Sequence, residues 1–251
     1  MYLICCPNVY AQSMIDNLAS IHAAAIELPL MKIEYMHNNL PDLKNTIENF
    51  DYVIIPSNII LDYAHNILAA AFHPQFATVG KASGSKLSGQ IGRTVIYPEN
   101  GSGGLALFDE KLSKLDLSNK SVLIIKGEDG NKELYTKLTN SGIQVTTIDL
   151  YRRVLLNMKP DYLKKMLLIQ GLQGIIITST DLVKWLFMQA IEAGCFDLLK
   201  SRLFITIHPN IKRQLVGFGA SRVLVTPNSK RGDILELIKK INGYKKINSL
   251  F

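Results

Sequence analysis

The sequence predicts an α/β protein: two small, doubly wound, mostly parallel sheets joined by a two-strand connector, with an internal duplication. Two observations carry that expectation. Short apolar runs alternate with segments whose apolar residues recur at helical spacing. The same succession of strand, loop and helix also occurs twice along the 251 residues, in the same order. The length allows one large domain or two small ones.

The elements pair off in four steps. Residues 2–31 align without a gap onto 122–151, each reading strand, loop, helix, second strand. The helix of the later copy stops at Asn140-Ser141-Gly142, a helix-ending signal. Residues 51–58 match 173–180, both apolar strands that end in a serine, Ser57 and Ser179. Residues 76–87 match 204–215 as a short strand, a small or polar turn and a helix start. Residues 93–108 match 222–237 with one residue of slippage, as strand, Pro, polar loop and helix.

Ligands of doubly wound folds sit beyond the carboxyl ends of the strands. The residues there are Cys6-Pro7-Asn8, Ser57-Asn58, Gly80 to Ser83, Lys126 to Gly130, Thr178 to Thr180 and His208 to Ile211. Asp149 to Arg153 closes the later βαβ copy; a Tyr beside two Arg could bind an anion and supply a weak acid. Ser57, Ser83, Ser179 and Thr180 stand where helices begin, so N-capping is expected of them. Capping leaves other free N–H groups that can hold an anion.

Composition narrows the function. Apolar residues make up 47% and charged residues 20%, an ordinary globular mixture. No apolar run approaches the roughly 18 residues of a membrane span. Met1 to Pro7 has no basic flank and too short an apolar stretch for a secretory leader, so a cytoplasmic protein is expected. Three cysteines, Cys5, Cys6 and Cys195, build no disulfide framework, and neither they nor the five histidines show metal-ligand spacing. No metal or cofactor is expected. The net charge of +7 suits a nucleic acid, an anionic membrane or a polyanionic small molecule. The basic residues are densest at Lys230, Arg231, Lys239, Lys240, Lys245 and Lys246, with only Tyr244 interleaved; they read as a solvated helix face and tail. Neither nucleic acid nor membrane is an expected partner. Gly80-Lys81-Ala82-Ser83 lacks the upstream Gly of a P-loop, since position 75 is Gln, and Gly101 to Ala106 is followed by no acidic residue placed for a dinucleotide.

Taken in order, the pieces resemble the uroporphyrinogen-III synthase family. The motifs are Tyr52 to Asn58, Ala77 to Ser83, Pro98 with Gly101 to Leu105, Leu123 to Gly130 with its helix to Gly142, Tyr151-Arg152-Arg153, Ile175 to Thr180, Ile207 to Leu215, Gly219, and Arg222 to Val225. They span nearly the whole chain. The resemblance implies one domain of residues 1–32 with 157–251, a second of 51–146, and connectors at 33–50 and 147–156. It implies a monomeric lyase without a cofactor, whose substrate is hydroxymethylbilane, wrapped by two domains on a mobile hinge. Tyr151 is then the catalytic candidate. Ser57, Ser83, Ser179 and Thr180 would offer hydroxyls, and Lys81 and Lys126 would offer charge. Asn58, Gly80, Ala82, Gly127, Thr178, His208, Pro209, Asn210 and Ile211 complete the expected substrate contacts. Several family positions differ here: Cys5-Cys6-Pro7 replaces Thr-Arg-Pro, Lys126-Gly127 replaces Arg-Gly, and Gly130-Asn131 replaces Gly-Arg. A non-enzymatic two-domain binding module of the periplasmic-binding type, retained in the cytosol, is the alternative.

Overall fold

The computed structural model describes residues 1–128, 130–227 and 232–248, with side chains as far as 243. The first half of the chain runs β1 (Tyr2–Cys5), α1 (Asn8–Ala19), β2 (Ala25–Glu27), β3 (Met31–Tyr35), α2 (Leu43–Glu48), β4 (Tyr52–Ile55), α3 (Asn58–Tyr63), α4 (His65–Ala69), β5 (Gln75–Thr78), α5 (Lys81–Ile91) and α6 (Gly104–Glu110). The second half runs β6 (Ser121–Gly127), α7 (Glu133–Asn140), β7 (Gln144–Leu155), α8 (Pro160–Leu167), β8 (Gly174–Ile177), α9 (Thr180–Glu192), α10 (Phe196–Lys200), β9 (Leu203–Thr206), α11 (Pro209–Gly217), β10 (Arg222–Val225) and α12 (Gly232–Asn248). Two compact units share it: residues 1–33 with 154–251, and residues 34–153.

The first unit holds a five-stranded sheet in the order β10-β9-β8-β1-β2, with each neighbouring pair parallel. Its inner strands β1 and β8 are buried at every position because both faces are covered. Leu3, Cys5, Ile175 and Ile177 join Leu182, Val183, Leu186 and Phe187 of α9 on one face. Tyr2, Ile4, Cys6 and Ile176 join Ala11, Met14 and Leu18 of α1 and Ile234 and Ile238 of α12 on the other. All three cysteines are free and buried. Burial pushes the Cys5 thiol well above its usual range, which keeps it from the reactive thiolate form.

The second unit carries a sheet in the order β3-β7-β6-β4-β5, in which β4, β5, β6 and β7 are parallel. Ile54, Ala77, Val122 and Ile124 pack against Leu107 and Phe108 of α6 and Leu134 and Leu138 of α7. The two helices approach closely at Gly104, where an added Cβ would fall 2.7 Å from Leu134 Cβ. The segments expected as connectors carry structure: 34–50 includes α2 and 147–153 is part of β7, and both fall in this second unit.

The two sheets share one strand order. Reading β5-β4-β6-β7 beside β9-β8-β1-β2 matches each strand to its partner in the aligned halves of the sequence. The units are not those halves, however. The first sheet takes β1 and β2 from the first half and β8, β9 and β10 from the second; the other takes β3, β4 and β5 from the first and β6 and β7 from the second. The chain reverses its direction of strand addition between β1 and β8 in one sheet and between β4 and β6 in the other. These are the switch points at which doubly wound folds bind ligands.

One expected strand is nearly lost. Of residues 93–97, only Ile96 bridges, to Ala77 of β5. The next residue, Tyr97, lays its ring over Gly84 of α5, where no Cβ would fit, and Pro98 has no N–H with which to extend a ladder. The capping expectations divide likewise. Ser57 and Ser179 cap α3 and α9, accepting from the N–H groups of Ile59 at 3.3 Å and Asp181 at 3.2 Å. Ser83 does not cap: α5 starts earlier, behind Gly80, and Ser83 is its third residue. Thr180 is the first helical residue behind Ser179.

Candidate functional site

A cavity of about 500 Å³ opens at the carboxyl edge of the second sheet. That lies within the roughly 300–1,000 Å³ of small-molecule sites. Ser57 stands just past the end of β4, Lys126 and Gly127 end β6, and Tyr151 and Arg153 lie on β7; all five line it. Three adjacent parallel strands therefore bring residues from 57 to 153 onto one edge, at the β4/β6 switch point.

Tyr151 is the centre of this group and is only 2% exposed. Its hydroxyl lies 3.1 Å from Ser57 Oγ and accepts a hydrogen bond from Arg153 Nη2 at 3.3 Å. The Arg153 guanidinium carbon is 5.7 Å from the centroid of the Tyr151 ring. A bulge in the β6–β7 ladder sets the position of the ring. Lys126 is opposite Asp149, but the next residue, Gly127, is opposite Tyr151. The ring fills the space above Gly127, whose added Cβ would be 2.5 Å from Tyr151 Cζ. Gly is thus required here by close approach.

The charges around the cavity divide into paired and unpaired. Lys126, expected as a charge for the ligand, is engaged: its Nζ donates to Asp149 Oδ1 at 2.6 Å and to the carbonyls of Gly127 and Glu128 at 3.4 and 3.3 Å. Arg152 pairs with Glu34 at 2.8 Å. Among the described residues, no carboxylate is within ion-pair distance of Arg153 or Lys132, and both line the cavity. Gly103, Gly104, Asn131, Tyr135 and Thr147 complete the polar and small part of the wall.

The other expected residues fall elsewhere. Asn58 starts α3 and is exposed; Gly80, Lys81, Ala82 and Ser83 lead into α5 past the cavity wall, which ends at Val79 on that strand. In the first unit, Thr178, Ser179 and Thr180 follow β8, and His208, Pro209, Asn210 and Ile211 follow β9. Their side chains are largely in local use. Ser179 caps α9. His208 Nδ1 accepts from the Asn210 N–H at 3.1 Å and caps α11, and Asn210 Oδ1 accepts from Arg213 Nη2. Ile211 is 5% exposed within the apolar core, so only its backbone is available to a ligand. Lys239 and Lys240 are exposed on α12, as expected of a solvated face; Lys230 and Arg231, the side chains of Lys245 and Lys246, and Asp129 of the Lys126–Gly130 loop lie outside the described residues. No cluster of three His, Cys, Asp or Glu side chains among the described residues could hold a metal, and no helix among them is long and apolar enough to cross a membrane.

Sequence reasoning named the Tyr-Arg-Arg run but did not separate its arginines. Strand alternation does so: Tyr151 and Arg153 share one face of β7 and Arg152 takes the other. Lys132 carried no signal for a site, and the Gly103-Gly104 turn only that of a family motif, because their place on the wall depends on the packing of α6 against α7.

The family model described as uroporphyrinogen-III synthase HemD matches residues 12–236. Among solved structures, a mutant uroporphyrinogen III synthase from the extremely thermophilic bacterium Thermus thermophilus superposes with a TM-score of 0.57 at 12% identity, covering 100% of both chains. The uroporphyrinogen-III synthetase of Helicobacter pylori gives 0.54 at 16% identity, covering 87% of this chain and 93% of that one. Those two likenesses show a shared fold. The match along the sequence shows more: the chain belongs to the uroporphyrinogen-III synthase family, enzymes of tetrapyrrole biosynthesis.

Proposed function

We propose that this protein converts hydroxymethylbilane, a linear tetrapyrrole with eight carboxylates, into uroporphyrinogen III, with loss of water and inversion of the terminal ring. The observation that carries the reading is the Tyr151 hydroxyl, set in the cavity wall between Ser57 Oγ and Arg153 Nη2. A hydroxyl has one proton to give and two lone pairs to accept with. Ser57 accepts the Ile59 N–H, and its own proton can go to Tyr151. With Arg153 as second donor, both lone pairs of the phenol oxygen are used and its proton is left for a ligand in the cavity.

That proton assists departure of the hydroxyl. The adjacent pyrrole nitrogen pushes its lone pair toward the hydroxymethyl carbon. The C–O bond breaks, the hydroxyl takes the Tyr151 proton and leaves as water, and an azafulvenium electrophile remains beside the phenolate. The last ring attacks through its already substituted carbon and forms a spiro intermediate. That intermediate fragments and recloses through the other carbon, which loses its proton; the proton returns to the phenolate. The chain left alone closes without inversion, so the protein contributes chiefly by fixing which carbon reaches the electrophile. The unpaired cations at the cavity and the net charge of +7 favour a polyanion.

The test is to incubate the protein with freshly made hydroxymethylbilane, oxidise, and separate the isomers. Type III product is expected. Type I alone refutes the reading. Tyr151→Phe, which keeps the ring and removes the proton, is expected to form type III product well over tenfold more slowly while melting like the parent.

A further inference from the structure

Two arginines follow Tyr151, and their surroundings differ. Arg152 is neutralised by Glu34 across a 2.8 Å ion pair. Arg153 has no carboxylate partner among the described residues, and its Nη2 is 3.3 Å from the Tyr151 hydroxyl oxygen. Its guanidinium also lies 5.7 Å from the centre of the same ring. The remaining charged groups of this wall are Lys126, closed on Asp149 at 2.6 Å, and Lys132. Of the two cations at the cavity without a carboxylate partner among the described residues, Arg153 is the one hydrogen-bonded to the phenol.

We propose that Arg153 is the positioning residue for Tyr151: it fixes the direction of the phenol proton and takes up the negative charge left when that proton departs. This rests on the role given to Tyr151 above. A guanidinium donor to a neutral phenol oxygen is an ordinary hydrogen bond; to a phenolate it is charge-assisted and about twice as strong. The gain is therefore made as the C–O bond breaks, which is the kind of interaction that raises kcat rather than lowering KM. An arginine that only anchored a substrate carboxylate would do the reverse.

The experiment is a double-mutant cycle read as type III product from hydroxymethylbilane. Arg153→Met, which keeps much of the stem, is expected to lower kcat roughly tenfold at nearly unchanged KM. Arg153→Lys keeps the charge and is expected to retain part of the lost rate. In a Tyr151→Phe background, Arg153→Met is expected to cost little further, because the group it serves is gone. The proposal fails if Arg153→Met costs the same factor in both backgrounds, or if its loss is carried by KM. Should Tyr151→Phe leave no measurable type III product, the division between kcat and KM in the Tyr151 protein decides alone. Failure of the enzymatic reading would look different: the unmutated protein would yield only type I. Melting curves of each variant identify a misfolded one, and Arg153→Lys then stands in for Arg153→Met in the cycle.

Discussion

The two units pose the same problem in different ways. Each has four parallel strands in the same order, a switch point in the middle, and a serine just past the strand beside it: Ser57 after β4 and Ser179 after β8. Both serines cap the helix that follows. The Ser179 side chain has no other hydrogen-bond partner among the described residues, and the neighbouring strand end spends His208 on a second cap. Ser57 caps and also meets a phenol delivered by β7, two strands away, alongside an arginine on the same face. The difference is made by β7. It is 12 residues long where its counterpart β2 has three, so it passes the end of β6 and carries Tyr151 and Arg153 over the switch point. A strand extended past its neighbours turns an ordinary helix cap into part of a site.

The sharpest way to break this contrast is at Tyr151, where loss of the hydroxyl should cost well over tenfold. Next in size is Gly127→Ala. The new Cβ needs space that the Tyr151 ring occupies, 2.5 Å from Cζ, so the ring must move away from Ser57 and Arg153. Overpacking of this kind costs about 1–3 kcal/mol of stability. The expected outcome is a lower melting temperature together with a several-fold or greater loss of kcat. A variant that melts lower yet turns over at the parental rate would show that the ring pose does not matter.

A smaller effect separates the two caps. Ser57→Ala and Ser179→Ala should each lose about 1 kcal/mol of stability, the usual worth of a serine N-cap. Only Ser57→Ala should also slow turnover, by a few-fold, since only Ser57 orients the phenol. Denaturant unfolding measures the first effect and the isomer assay the second. Equal kinetic effects at both positions would erase the distinction between the units.

Much of this was legible in the sequence, and what was missed has a common cause. Strand ends follow from apolar runs and their stops, so Ser57, Lys126 and Gly127 are legible as strand-end residues, and Tyr151 as part of the run that closes the later βαβ copy. The aligned halves carried the repeated succession of strand, loop and helix. They could not show which strands share a sheet, because the chain pairs strands across the halves by long-range contacts that leave no local mark. Lys126 is expected as a charge partner for the ligand. Its closure on Asp149 depends on the register just before the bulge, and a one-residue shift in a ladder is invisible in composition. Ile211 was expected beside a ligand because it follows a strand, but it is the first inward-facing residue of α11 and belongs to the core.

The last and smallest test concerns the opposite edge of the sheets, where aligned positions 51 and 173 begin equivalent strands. In the second unit Asp51 accepts from the Ser121 N–H at 2.8 Å, from Lys120 Nζ at 3.0 Å and from the Ser121 hydroxyl at 3.0 Å. The Ser121 N–H, then the Lys120 ammonium and the Ser121 hydroxyl, hold its carboxyl down at about 2. A carboxyl depressed on folding contributes stability that is complete above its unfolded value, near 3.9, and that disappears as pH falls through its folded value. In the first unit the same edge is tied by backbone and terminus: the Gln173 N–H donates to the Met1 carbonyl at 2.8 Å and the Met1 ammonium to the Gly171 carbonyl at 2.9 Å. No carboxylate takes part in those bonds. Asp51→Asn should therefore melt below the parent at neutral pH, with the gap narrowing as pH falls from about 4 toward 2. Gln173→Ala, which leaves the backbone N–H of residue 173 in place, should show no gap that changes over the same range. A gap at Asp51 that stays constant to low pH would mean that its hydrogen bonds, and not its ionisation, tie the strands together.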